Sequence, residues 1–203
     1  MPRLSLRLSI LCAVMAVCAV SAATAKADLV QSLIGGGCGP TTTAFAQWGD
    51  SRSYYFTADG GFESGGAGWT FTGGAKVVAG NEPFYLHSTA DDSSLLLPSG
   101  ATATSPALCF GVLDPGLRFV AVAPSGSGTL HVQLVAQGLL GVLAVIDGGT
   151  IQVGSSWAPT EVFSTLGSQL NVPLGTKTIQ VVLTSSGGDV QVDDLYIDPW
   201  LIK

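Results

Sequence analysis

Positive charge is scarce in this 203-residue chain, where 8 Lys and Arg stand against 14 Asp and Glu and charged residues make up only 11%. Binding a phosphate backbone needs clustered Lys and Arg, so nucleic acid is a poor candidate partner. Histidine occurs only at His87 and His131. No His-Glu-x-x-His is present, which removes the zincin reading, no Gly-x-Ser-x-Gly elbow occurs, so a serine hydrolase lacks its best local sign, and no dinucleotide or phosphate-loop pattern is found. Carboxylate pairs for glycoside hydrolysis could be drawn from Glu63, Glu82, Glu161 and several aspartates, but any acidic protein offers such pairs. Long apolar runs are missing too. Residues 8–20 are apolar apart from Ser9, too short for a helix crossing a hydrocarbon core, which takes ~20 residues.

That short run has another reading. Arg3 and Arg7 precede it, and Ala25-Lys26-Ala27 follows it with the small-x-small pattern of a cleavage site. This order predicts a signal peptide over residues 1–27 and a secreted, extracellular protein. No cysteine sits in a lipid-attachment pattern, and no later run is long enough to span, so the chain is expected off the membrane once the signal is cleaved. Cleavage after Ala27 removes three basic residues and no acids, which leaves 5 basic against 14 acidic and a formal charge of −9. It also removes Cys12 and Cys18 and leaves Cys38 and Cys109. In an oxidising compartment these two have one intramolecular pairing. The long loop it would close corresponds to about 4 kcal/mol in the chain-entropy model. Two buried free thiols are the alternative, and two isolated cysteines make a poor zinc site.

Residues 28–60 read as an N-terminal arm, with Phe45, Trp48, Tyr54, Tyr55 and Phe56 available to pack it down. Residues 61–203 read as a single domain of short strands between Gly, Ser, Pro, Asn and Asp clusters. Strands are expected at 69–71, 75–78, 94–97, 107–112, 117–123, 129–136, 141–146, 150–153, 161–164, 177–184 and 190–197. Asp147-Gly148-Gly149 is read as a turn, and residues 166–174, which contain Gly167 and Pro173, as loop or short strand. Turn signals at this spacing predict an all-β, antiparallel sandwich or barrel.

Two segments carry a resemblance. Gly60-Gly61-Phe62-Glu63-Ser64-Gly65 with Gly68-Trp69 resembles the opening of galactose-binding-like jelly-roll modules, and residues 190–198 with Asp193-Asp194 resemble their closing strand. Many carbohydrate-binding domains of secreted hydrolases share that architecture. The mature chain is also similar to a group of uncharacterised secreted bacterial proteins, through the cysteine-bearing arm, Trp48-Gly49-Asp50 and Asp198-Pro199-Trp200. The resemblance implies a jelly-roll β-sandwich, and it implies a structural calcium held by Glu63 and Asp194. Calcium takes six to eight hard oxygen ligands. On a regular last strand, Val190, Val192, Asp194 and Tyr196 share one face, and Gln191, Asp193, Leu195 and Ile197 the other. Each face then mixes a carboxylate with apolar neighbours. A covered carboxylate needs a cation or several hydrogen bonds, so backbone N–H groups are the alternative to calcium.

Exposed aromatic rings suit the C–H faces of a pyranose, with a few polar groups fixing orientation. Trp157 lies in a loop-like Ser-Ser-Trp-Ala-Pro segment, and Tyr85 and His87 share another turn region, so these three are the candidate ligand contacts. For Trp157 a sheet-capping role competes. The function expected is a non-catalytic module for a carbohydrate, such as a cell-wall glycan, or another cell-surface ligand. A structural or protein-interaction domain of the cell surface is the second reading, and a small glycan-active enzyme the third.

Overall fold

The computed structural model describes residues 38–109, 116–163 and 176–198. The signal-peptide reading (1–27), the start of the arm and the 166–174 reading lie outside them. The protein is an antiparallel β-sandwich. Its strands are β1 (Tyr55–Phe56), β2 (Thr70–Thr72), β3 (Lys76–Ala79), β4 (Ser93–Leu97), β5 (Thr102–Thr104), β6 (Gly116–Val122), β7 (Ser127–Gly138), β8 (Gly141–Gly154), β9 (Ala158–Pro159), β10 (Thr178–Ser186) and β11 (Val190–Asp198). One sheet has the order β3-β4-β11-β6-β9, with β1 added to β11, and the other β2-β5-β10-β7-β8. The last two strands thus occupy the centres of both sheets. Among the described residues no helix is long and apolar enough to cross a membrane.

Alternation builds the core. Leu130, Val132, Leu134 and Ala136 of β7 and Ile179, Val181 and Leu183 of β10 are buried, with half-exposed residues between them. They meet Leu95, Leu97, Leu117, Phe119, Val190 and Val192 of the facing sheet. On β6 all seven residues are buried. Leu117, Phe119 and Ala121 enter the main core, while Val120 joins a second cluster with Phe45, Tyr54 and Tyr196. A sheet covered on both faces loses the half-polar alternation of a solvated one.

The second cover comes from the arm. Residues 38–60 pack on the six-stranded sheet through Phe45 and Tyr54, and β1 pairs directly with β11. Cys38 is bonded to Cys109, with Cα atoms 5.3 Å apart, and the Tyr55 hydroxyl donates to the Cys109 carbonyl. Asp50 of Trp48-Gly49-Asp50 accepts from Arg118 of β6, whose guanidinium also lies 4.6 Å from the centre of the Phe45 ring.

Four strand expectations need correction. Residues 147–149 do not turn the chain. β8 runs unbroken from 141 to 154, and the extra residue is absorbed as a bulge opposite Val132 and Gln133. A Cβ at Gly148 would lie 2.7 Å from the Val132 carbonyl oxygen, and Gly149 has φ +90°. The glycines therefore serve a bulge, and the hairpin turns at Leu139-Leu140 instead. Described residues of the expected 107–112 and 161–164 strands make only isolated bridges, Leu108 to Ile179 and Phe163 to Leu117. β5, β9 and β1 were not expected. β5 hides in a Thr-Ala-Thr between Gly100 and Pro106, too short to show alternation. Finally, β11 is not regular, because its register shifts between Asp193 and Tyr196 and Asp194 has φ +51°. Leu195 and Ile197, rather than Tyr196, follow Val190 and Val192 into the main core.

Candidate functional site: an acidic bulge beside a cavity

The bulge in β11 places two neighbouring carboxylates inside the protein. Asp193 and Asp194 are both 0% exposed, as is Glu82. The opening segment wraps over them. Thr57 N and Oγ1 donate to the Leu195 carbonyl at 3.1 and 3.0 Å, and Leu195 N donates to the Gly60 carbonyl at 3.0 Å. Gly61 lies against the pair, so close that a Cβ there would sit 3.1 Å from Asp194 Oδ1.

Backbone amides satisfy most of these oxygens. Asp193 Oδ2 accepts from Glu82 N at 3.0 Å, and its Oδ1 from Asp194 N at 2.8 Å. Glu82 Oε1 accepts from Leu86 N at 2.7 Å and Oε2 from Phe84 N, which bends the 82–87 segment around the carboxylate. Asp194 Oδ2 accepts from His87 N at 3.2 Å. Asp194 Oδ1 has no partner. Among the described residues no Lys or Arg forms an ion pair with any of the three. Burial pushes the Asp193 carboxyl up to about 8, against the pull of its two amide donors. Asp194 is pushed up as well, by burial first, then by the charges of Asp193 and Glu82 and by a side-chain hydrogen bond with Glu82. Such a group is at rest only with protons or a cation among its oxygens.

Calcium chemistry fits Asp194, whose orphaned buried oxygen is a hard donor. Glu63 stands differently. It is exposed, and its Oε1 accepts from Asp92 N at 3.0 Å and Ser93 N at 2.8 Å, tying the opening loop to the start of β4. The donor atoms that come together with Asp194 are those of His87 and Asp91, all three within 4.8 Å of one another. Glu82, Asp91 and Asp193 were not among the sequence candidates for this site. A regular strand would have pointed Asp193 away from Asp194, and only the bulge buries both.

His87 links this cluster to a cavity. Its Nδ1 lies 2.8 Å from Asp91 Oδ2, and its ring stacks on Phe56 at 3.9 Å and 7°. A cavity of about 370 Å³ opens there, lined by Thr42, Thr43, Phe56, Leu86, His87 and Tyr196 among others. Tyr85, two residues from His87, is 49% exposed and has φ +52°. Trp157 is half-buried and packs against the Phe45–Tyr54–Val120–Tyr196 cluster. A second cavity of about 310 Å³ lies between the edges of the two sheets, and Glu161 is the one carboxylate lining it.

The open face of the five-stranded sheet is different in character. Thr70 and Thr72 pair with Thr104 and Thr102, and Thr184 continues the second row. Thr102 and Thr184 hydroxyls are 3.0 Å apart, and Gln137 Nε2 donates to Gln180 Oε1 at 2.6 Å. The outward positions of its described strands hold no Trp, Tyr or Phe.

No protein-family model matches the sequence, and no curated protein is significantly similar to it. Solved structures are similar in fold, and the sandwich is a jelly roll of the kind found in carbohydrate-binding modules. The CBM22-1–GH10 modules of the N-terminal endo-1,4-beta-D-xylanase 10B of Clostridium thermocellum, complexed with xylohexaose, align with a TM-score of 0.53 at 15% identity over 74% of this chain. The enzymatically active domain of bacteriophage CBA120 tailspike protein 4 aligns with a TM-score of 0.51 at 17% identity over 69% of it. This chain spans 29% of the first and 20% of the second. The CBM22-1 xylan-binding domain from Paenibacillus barcinonensis Xyn10C aligns with a TM-score of 0.49 at 14% identity, covering 72% of this chain and 94% of that one.

Proposed function

We propose that this protein is an exported, non-catalytic module that binds a glycan at the cavity beside His87. The observation that carries the reading is the cavity itself. Its volume of about 370 Å³ lies in the range of small-ligand sites, and its lining joins the stacked Phe56–His87 pair with Thr42 and Thr43. Tyr85 stands exposed nearby. Apolar ring faces with a few polar groups are what a sugar requires. Export is supported by the Cys38–Cys109 bond, since such bonds persist in oxidising compartments. A divalent cation at Asp194, with calcium the sequence-based candidate, would hold the 82–91 segment that walls the cavity. Trp157, packed as it is, serves this site as support for the arm rather than as a platform.

The test is binding to a glycan array and to insoluble polysaccharides by the oxidised domain from residue 28 onward. Specific binding that is lost in Tyr85→Ala and His87→Ala, with unchanged melting temperatures, is the expected result. A folded domain that binds no glycan overturns the reading.

One observation favours protein contacts instead. At the β7–β8 hairpin Leu139, Leu140, Val142, Leu143 and Val145 are all exposed, with Leu140 entirely so. β8 is also the edge of its sheet. Contiguous apolar surface on an open edge strand marks association.

A further inference from the structure

We infer that His87, Asp91 and Asp194 form a mixed nitrogen–oxygen site for a borderline divalent metal such as Zn²⁺. This builds on the cation reading above and changes the donor set and the metal class.

An acidic cluster alone would not define a site. Here the second observation lies in one member of the group: Asp194 is fully buried and its Oδ1 has no hydrogen-bond partner, while each of the three residues offers a ligand atom within 4.8 Å of the others. The donors differ in kind. Imidazole nitrogen suits zinc and its neighbours, whereas calcium takes oxygen. His87 Nδ1 and Asp91 Oδ2 are 2.8 Å apart, at hydrogen-bond distance, and tetrahedral ligands 2.1 Å from a zinc ion lie about 3.4 Å apart, so a metal that replaces the shared proton parts the pair by only about half an ångström. Metal bound between them takes the Nδ1 lone pair and leaves the ring proton on Nε2.

Charge and access complete the case. Asp193 and Glu82 lie buried close by, with no Lys or Arg pairing among the described residues, so the site favours a dication. The His87 side chain is 42% exposed and that of Asp91 8%. Three protein ligands with an accessible side leave room for water or a ligand oxygen. His87 N–H already bonds to Asp194 Oδ2, so one ligand positions another.

The experiment is calorimetric titration of the chelator-stripped domain from residue 28 onward with Zn²⁺ and, separately, Ca²⁺, alongside the Co²⁺ absorption spectrum. One Zn²⁺ per chain is expected, weakened more than about tenfold by His87→Ala or Asp91→Asn. His131→Ala is the control, because His131 pairs with the exposed Asp147 and lies outside the cluster. Nitrogen ligation should appear in the Co²⁺ spectrum and vanish in His87→Ala. Asp194 sits buried in the β11 bulge, so the exposed His87 ring carries the test. Zn²⁺ binding that is equal in His87→Ala, or lost only in His131→Ala, overturns the site. Calcium binding indifferent to His87 overturns it while leaving the cation reading intact, and no divalent binding overturns both. Glycan binding is measured separately, so its failure is a distinct result.

Discussion

Arg118 Nη1 lies 2.7 Å from Asp50 Oδ2, and the same oxygen accepts the Tyr54 hydroxyl at 2.6 Å. One carboxylate in the arm therefore gathers a guanidinium from β6 and a phenol from the second core. Both side chains of the ion pair are largely buried, at 9% and 12% exposed. Removing one member strands the other, so Arg118→Ala should cost about 3 kcal/mol, read from denaturant melts.

The same carboxylate gives a pH dependence. Burial alone would raise Asp50, but the Tyr54 hydroxyl, the Arg52 amide and Arg118 outweigh it and hold it below its ordinary 3.8. A depressed carboxyl contributes stability above its unfolded value and loses it as pH falls through the folded one. The gap in melting temperature between wild type and Asp50→Asn should be full at neutral pH and close in acid below the ordinary 3.8. A gap that persists unchanged at low pH would mean the charge on Asp50 contributes nothing.

Cys38–Cys109 spans 71 positions and fixes the arm at residue 38. Replacing both cysteines by serine should lower stability by about 2–4 kcal/mol. Limited proteolysis should then cut first near residues 38–44, before the sandwich strands.

At the β8 bulge, Gly148→Ala puts a methyl group into the Val132 carbonyl, which is backbone and has little room to move. A loss of about 1–3 kcal/mol is expected. Gly154, whose Cβ would meet nothing within 4 Å, is the matched control and should tolerate alanine.

Leu139→Ser with Leu140→Ser tests the protein-contact reading. Both positions are exposed, so stability should stay within about 0.5 kcal/mol. Any concentration-dependent association seen by sedimentation should fall. Association that survives the double substitution would sink the idea that the hairpin tip drives it.

The sandwich was legible because its strands announce themselves. β7 alternates Leu130, Val132 and Leu134 against Thr129, His131 and Gln133, and glycine or proline punctuates most strand ends. Asp147-Gly148-Gly149 misled because the same residues that allow a turn also allow a bulge. The site was half legible. Asp194 and His87 could be picked out as residues, but their meeting depends on one inserted position in β11 and on the bend made by Glu82 around its own amides. Neither is local information. Asp193 looked like the opposite face because period-two reasoning has no way to see a register shift in advance.

β11 touches β1, β4 and β6, and with β10 it fills the middle of the sandwich. Thr57 reaches Leu195 across 138 positions. The order of synthesis therefore opposes the order of assembly, since early strands wait for a centre that emerges near the end. Contacts this distant in sequence make folding slow, and a chain moved across a membrane N-terminus first would stay unfolded until its final strands arrived. The architecture postpones the core until the central strands β10 and β11 are present.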